Sequence, residues 1–144
     1  MKAVDTNILI YAESTSSPQH SRAHQVLTEL AQGPAAWAIP WPCIHEFLRL
    51  VTHPRVYHPP LPSQVALQDL KAILASPSLV LLSETAVHAT LLDEVVKQSG
   101  VAGNLMHDAH IVALCREHGA SELLTGDRDF TRFTGLKITN PFTA

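Results

Sequence analysis

Four carboxylates stand at positions where a chain of short strands and longer helices would bring side chains together. Asp5 and Asp127 each follow a short apolar run, and Glu46 and Asp108 each lie near the start of a helical pattern. Parallel strands end at one edge of a sheet, and the helices that follow them begin there. The spacing therefore predicts that the four acids converge on a single site.

Such a group of acids indicates metal-ion chemistry. Carboxylates within a few ångströms raise one another's pKa, so the group stays partly protonated unless a cation neutralises it. A ligand set made only of oxygen favours Mg²⁺ or Mn²⁺ over Zn²⁺. The reactions that use such ions are chiefly phosphoryl transfer and phosphodiester hydrolysis.

Most of these acids also have a structural explanation. Glu46 fits a solvated position at the border of an apolar helix face, and Asp108 fits a partner of the helix dipole. Asp127 belongs to the sequence Gly-Asp-Arg-Asp, which is typical of a turn, and for Asp129 we favour a turn or supporting role. Asp5 is different, because an acid that ends an apolar first strand has little structural reason to be there.

The elements that must position these acids follow from apolar periodicity. Short apolar runs bounded by turn residues predict strands at residues 3–4, 36–39, 79–82, 123–125 and 136–139. Helical spacing predicts helices at residues 21–30, from 42 onward, 63–74 and 85–97, and a further helix between Asn104 and Gly119. Ser63 and either Ser83 or Thr85 are the expected N-caps. The proline-rich residues 53–62 predict a surface loop.

Strand and helix alternate, which predicts a parallel sheet with helices on both faces, a three-layer α/β/α fold. The length of 144 residues fits one domain, residues 1–144. Cys43 and Cys115 form no CxxC pair, so we expect two reduced core residues in a cytoplasmic protein. No run of apolar residues approaches a membrane span.

The net charge of the chain excludes one class of nucleic-acid-binding protein. Ten Lys and Arg against thirteen Asp and Glu give a net charge of −3, which excludes a protein that coats nucleic acid by bulk positive charge. The excess of acid is concentrated in the predicted site, since the loss of the four acids would change −3 to +1. Nucleic-acid binding through metal ions and a few arginines is still compatible with this balance.

The four acids lie in motifs that resemble those of PIN-domain ribonucleases, and more closely the VapC toxins of VapBC toxin–antitoxin pairs. These motifs are VDTNILIY with Asp5, CIHEF with Glu46, HDAHI with Asp108 and TGDRDF with Asp127. No single motif is strong, but the four in this order are specific, and the resemblance spans nearly the whole chain.

The resemblance implies a PIN fold with about five parallel strands, in which the four acids are catalytic and bind Mg²⁺ or Mn²⁺. Thr6, Asn7 and Thr125 become supporting residues that orient carboxylates or water. The implied activity is endonucleolytic cleavage of structured tRNA or ribosomal RNA, which arrests translation. The implied partners are a second copy of the chain and a VapB-type antitoxin whose C-terminal segment occupies the active-site groove.

Two other functions fit parts of the sequence. A small Mg²⁺-dependent phosphohydrolase also places an Asp after its first strand, but it needs a second Asp two positions later, where this chain has Asn7. A PIN-like module that binds RNA or a partner without cleavage gains nothing from four acids in its groove.

Several further residues lie close to the predicted acids in sequence. The expected RNA contacts are Arg49, Arg116, Arg128 and Arg132. His45 and His107 each adjoin an acid, but neighbours on a helix point about 100° apart, so we interpret both histidines as packing or surface residues.

Overall fold

Five short strands form one parallel sheet at the centre of the computed structural model, which describes residues 1–143. They are β1 (Lys2–Val4), β2 (Trp37–Pro40), β3 (Leu79–Leu82), β4 (Glu122–Leu124) and β5 (Lys137–Thr139). Their order across the sheet is β3-β2-β1-β4-β5. All five predicted strands are confirmed, and their ends differ from the predicted ones by no more than one residue.

Within residues 1–143, six α-helices surround the sheet. They are α1 (Thr6–Glu13), α2 (His20–Gln32), α3 (Trp41–Val51), α4 (Ser63–Leu74), α5 (His88–Ser99) and α6 (Leu105–Glu117), and a short 3-10 helix follows at Arg128–Arg132. Every residue of β2 is buried, and successive strand residues face opposite sides. Both faces of the sheet are therefore covered at β2, as the three-layer prediction requires.

The first helix, α1, was not predicted from the sequence. Its eight residues are mostly apolar, so a two-turn helix shows little alternation of polar and apolar faces. Asp5 begins this helix as its N-cap and accepts a hydrogen bond from the backbone N–H of Thr6. The first acid thus has a capping role that the sequence analysis did not assign to it.

The predicted N-caps were wrong for two helices. Ser63 is the first residue of α4 and Pro62 precedes it, while α5 begins at His88 after Val87. Thr85 instead accepts the N–H of Val87 at 3.3 Å in the turn before α5. Asn104 does occupy the N-cap position of α6, although its side chain makes no capping hydrogen bond.

The end of α6 is as predicted. Gly119 adopts a φ of +70° just beyond the helix, a conformation that a side chain with Cβ disfavours. The N–H of Ala120 bonds back to the carbonyl of Cys115 at 2.9 Å. This is the hydrogen-bond pattern of a Schellman motif, and it directs the chain from α6 into β4.

The sheet reverses its direction of growth at β1. The chain places β2 and β3 on one side of β1, and it then returns to place β4 and β5 on the other side. The register pairs Val4 with Leu124, so the residues after β1 and β4 emerge side by side. Open parallel sheets bind ligands at such a switch point, beyond the carboxyl ends of the strands. None of the helices within residues 1–143 is long and apolar enough to cross a membrane.

Candidate metal-binding active site

Asp5 is the most firmly held of the predicted acids. Its Oδ1 accepts the backbone N–H of Thr6 at 2.8 Å, and its Oδ2 accepts the hydroxyl of Thr125 at 2.8 Å. The thiol of Cys43 lies 3.6 Å from Oδ1. The residue is 6% exposed, and the bonds to both oxygens fix the carboxylate in one orientation at the end of β1.

Asn7 connects the residue after β1 with the loop after β4. Its Nδ2 donates to Oδ2 of Asp5 at 3.2 Å and to Oγ1 of Thr125 at 3.1 Å. Its Oδ1 accepts the backbone N–H of Gly126 at 3.0 Å. Asn7 and Thr125 therefore lie where supporting residues were predicted, whereas Thr6 contacts Asp5 through its backbone.

Burial raises the pKa of Asp5. The hydrogen bonds from Thr125 and Thr6 oppose this increase, and the nearby charge of Glu46 adds to it. The ionised form of Asp5 is therefore costly in the protein alone, and a cation beside it would lower that cost.

A second group of acids is formed by Asp108 and the loop after β4. Asp108 lies in the first turn of α6, and one oxygen of each of Asp108, Asp127 and Asp129 lies within 4.8 Å of the others. Asp127 caps the 3-10 helix, and its Oδ1 accepts the N–H of Asp129 at 2.8 Å. Burial, and then the charges of Asp127 and Asp5, raise the pKa of Asp108 to about 6.

Glu46 is paired with a residue that sequence analysis missed. Its Oε2 lies 2.7 Å from Nε2 of His107, although the ring N–H does not point straight at the oxygen. His107 lowers the pKa of Glu46, and Glu46 raises the pKa of His107. His107 was interpreted as a packing or surface residue; it is a partly exposed residue whose pairing with Glu46 that interpretation did not include. His45 is exposed and lies beside Trp41, with ring centroids 5.9 Å apart.

Proximity of α3 and α6 creates the contact between Glu46 and His107. One sequence contains no signal for this pair, because its two members lie in motifs far apart and the order of elements does not specify which side chains meet. The two cysteines are free and buried, as predicted. Cys43 is nevertheless part of the site's wall, because its thiol faces Asp5.

The acids fit a hard divalent cation. The candidate ligands are carboxylate oxygens, and the raised pKa values of Asp5 and Asp108 arise partly from the like charges around them. A site built only of carboxylates suits Mg²⁺ or Mn²⁺. Asp108, Asp127 and Asp129 are the acids whose oxygens lie within 4.8 Å of one another, so they could hold such an ion. Asp5 and Glu46 are not members of that group, although the charge of Asp5 acts on Asp108 and the charge of Glu46 acts on Asp5.

The predicted arginines differ in their surroundings. Arg49, Arg128 and Arg132 are exposed, and the charge of Arg49 acts on Glu46. The guanidinium of Arg116 instead donates to Oε1 of Gln98 at 3.1 Å and to the carbonyl of Thr134 at 2.6 Å. It ties α6 to the loop before β5, so part of its hydrogen-bonding capacity is already used within the protein.

Comparison with known proteins identifies the family and supports the fold. Residues 2–136 match the model of the PIN domain. Ribonuclease VapC37 from Mycobacterium tuberculosis is 36% identical over 141 residues, which is 98% of this chain and 97% of the relative.

Two solved structures share the fold. One is VapBC2 from Rickettsia felis bound to a DNA fragment from its promoter, with a TM-score of 0.70 at 21% identity, covering 96% of this chain and 97% of that one. The other is Mycobacterium tuberculosis VapC20, a sarcin-ricin loop cleaving toxin, with a TM-score of 0.66 at 18% identity. The match covers 95% of this chain and 99% of that one. The resemblance seen in the four motifs is thus confirmed over the whole fold, and the chain belongs to the PIN domain family, within its VapC group.

Proposed function

We propose that this protein is a metal-dependent endoribonuclease and the toxin of a type II toxin–antitoxin pair. The observation that carries the proposal is the cluster of Asp108, Asp127 and Asp129, with the charge of the buried Asp5 acting on Asp108, at the switch point of the sheet. The relatedness to ribonuclease VapC37 supports RNA as the substrate.

Mg²⁺ or Mn²⁺ in this site would activate water and offset the negative charge of the phosphodiester. The chain's own residues orient the site: Thr125 and Asn7 hold the carboxylate of Asp5 through hydrogen bonds to its Oδ2. The proposed reaction is in-line attack of water on phosphorus, with cleavage of the bond to the 3′ oxygen. It leaves a 5′-phosphate and, after protonation from solvent, a 3′-hydroxyl.

RNA is proposed to be held by the exposed Arg49, Arg128 and Arg132, which border the acids in sequence. Arg116 is a weaker candidate because its guanidinium is already bound. Structured RNA, tRNA or ribosomal RNA, is the proposed substrate class, and the description of VapC20 as a sarcin-ricin loop cleaving toxin supports the ribosomal choice.

The proposed partners are a VapB-type antitoxin and a second copy of this chain, acting in the cytoplasm. Structural likeness to the toxin in VapBC2 supports the antitoxin. Co-purification with the protein encoded beside it, together with loss of cleavage in the complex, tests this partner. Sedimentation of the toxin alone tests the dimer.

The activity is tested by incubating purified protein with total RNA in Mg²⁺, in Mn²⁺ and in chelator. We expect discrete fragments only with metal, and their ends give both the RNA and the product chemistry. A 2′,3′-cyclic phosphate end would overturn the proposed reaction. RNA binding that persists in chelator, with no cleavage under any condition, would favour a binding module.

A further inference from the structure

A second group of potential metal ligands lies outside the proposed active site. Glu84 follows β3, His88 begins α5, and His110 is in the second turn of α6. One ligand atom from each of these three side chains lies within 4.8 Å of the others. The rings of His88 and His110 have centroids 5.2 Å apart at an angle of 67°.

His88 is oriented by a buried carboxylate. Its Nδ1 bonds to Oε2 of Glu117, whose side chain is 0% exposed. The other oxygen of Glu117 accepts both the N–H and the hydroxyl of Thr85, at 2.9 and 2.8 Å. A carboxylate that accepts from Nδ1 fixes the tautomer of the ring and leaves Nε2 with its lone pair available.

The second histidine of the group already faces an acid that can move. Nε2 of His110 lies 2.7 Å from Oε1 of Glu84, and the side chain of Glu84 is 50% exposed. Ligands of one metal ion lie about 3 Å apart when metal–ligand bonds are about 2 Å long. A small displacement of the exposed glutamate would admit an ion between the two side chains.

This group differs from the active site in both position and chemistry. Asp108 and His110 are two residues apart on α6, so their side chains project about 200° apart around the helix axis. Two imidazoles and one carboxylate form a nitrogen-rich ligand set, which prefers Zn²⁺ and similar transition-metal ions to Mg²⁺.

We propose that Glu84, His88 and His110 form a second metal site, selective for Zn²⁺-like cations, with Glu117 as the residue that positions His88. Three protein ligands leave a coordination position for water or for another ligand. The ion would join the loop after β3, α5 and α6. This proposal does not depend on ribonuclease activity.

The test is calorimetric titration of the full-length protein with Zn²⁺ in the presence of excess Mg²⁺, which occupies the carboxylate site. We expect one Zn²⁺ per chain, and at least a tenfold loss of affinity in Glu84→Gln and in His110→Gln. Glu84 is exposed, so its substitution should leave the fold intact. The matched control is His24→Gln, which removes one histidine from the His20–His24 pair on α2 and should leave Zn²⁺ affinity unchanged.

Two results would overturn the proposal. One is Zn²⁺ affinity that is the same in wild type, Glu84→Gln and His110→Gln, which would make the group an ion-pair network only. The other is Zn²⁺ binding that is lost in Asp108→Asn but kept in His110→Gln, which would place the ion in the carboxylate site.

The role of Glu117 is tested with Co²⁺ as a spectroscopic substitute for Zn²⁺. We expect visible absorption from Co²⁺ bound to the wild-type protein, and a changed spectrum with 10- to 100-fold weaker binding in Glu117→Gln. An unchanged spectrum and affinity in a folded Glu117→Gln protein would exclude the positioning role.

Discussion

Nε2 of His107 lies 2.7 Å from Oε2 of Glu46, which joins the first turn of α6 to α3. The two side chains are 38% and 26% exposed, so solvent screens the pair and its contribution to stability is about 0.2–1 kcal/mol. The pair brings an imidazole to the edge of a site otherwise made of carboxylates.

The first prediction concerns the titration of this pair. Because Glu46 raises the pKa of His107, its stabilising effect is complete below the ordinary histidine value of 6.5 and is lost as pH rises through the higher folded value. Because His107 lowers the pKa of Glu46, that effect is complete above 4.5 and is lost as pH falls through the lower folded value. The pair therefore contributes most between about pH 4.5 and 6.5.

NMR titration of the histidine ring protons measures the first of these effects. We expect the pKa of His107 to fall in Glu46→Gln and to stay unchanged in the control Glu29→Gln, which alters an exposed acid on α2. A His107 that titrates identically in wild type and Glu46→Gln would contradict the ion pair.

The second prediction concerns the metal-free protein. The pKa of Asp108 is about 6 in the folded state against an ordinary 3.8, so the folded state binds more protons between these values. Stability should therefore fall as pH rises through this window and level off above it. Asp108→Asn removes the free-energy cost of ionising Asp108 and should stabilise the protein at pH 7.5 by on the order of 1 kcal/mol, with little effect at pH 4.

Thermal unfolding in chelator measures this difference, with Glu94→Gln, an exposed acid on α5, as the control. Added Mg²⁺ should stabilise wild type more than Asp108→Asn. If Asp108→Asn is less stable than wild type at pH 7.5 in chelator, the repulsion among these acids has been misjudged.

The third prediction concerns Asn7, whose amide holds Asp5, Thr125 and Gly126 together. Asn7→Asp keeps the acceptor for Gly126 but replaces the donor with a carboxylate beside Asp5. We expect a loss of about 1–3 kcal/mol in stability and at least a tenfold loss in the rate of RNA cleavage. The carboxylate of Asp5 would lose the amide that orients it and would be repelled by the new carboxylate.

The control for this variant is Asn140→Ala, which removes another bond between an asparagine side chain and the backbone, the one to Phe142. Urea unfolding and initial cleavage rates are measured on both variants. Equal cleavage by Asn7→Asp and wild type would show that Asn7 does not position the site.

The fourth prediction concerns RNA affinity. Arg128 and Arg132 are exposed on the 3-10 helix that follows Asp127. If each contacts one phosphate, its change to Ala should weaken RNA binding and reduce the slope of log affinity against log salt by about 0.7 for single-stranded RNA. The cleavage-deficient Asp5→Asn background allows binding to be measured without degradation.

Lys97 on α5 provides the control, because it is an exposed cation paired with Asp93 at 2.8 Å, and its change to Ala should leave the slope unchanged. Slopes that are the same in wild type, Arg128→Ala and Arg132→Ala would remove these arginines from the RNA contacts.

The order of strands and helices was predictable because the apolar runs of the strands and the periodicity of most helices were clear in the sequence. Strands such as β2 are buried on both faces and are flanked by turn residues, and α6 ends at a glycine that adopts positive φ. Helix α1 was not predictable in the same way, because its apolar residues follow β1 with only Asp5 between them. Asp5, its N-cap, was a sequence signal for the start of this helix, but Asp5 was interpreted as a site residue instead.

Convergence of the acids was predictable from topology, since it requires only that parallel strands end together. The side chains that contact these acids were not predictable from topology. His107 meets Glu46, and Glu117 meets His88, through packing of α6 against α3 and α5. Such contacts depend on how each helix is rotated about its axis and on side-chain rotamers, and neither can be predicted from a single sequence.

Asp5 is proposed to help hold a metal ion that RNA cleavage requires. The most direct measurement is the initial rate of RNA cleavage against Mg²⁺ concentration for wild type and Asp5→Asn, with Asp93→Asn, an exposed acid on α5, as the control. We predict saturable, Mg²⁺-dependent cleavage by wild type and by Asp93→Asn, and at least a 100-fold lower rate for Asp5→Asn at every concentration. Cleavage by a folded Asp5→Asn protein at the wild-type rate, or by wild type at full rate in chelator, would contradict the claim.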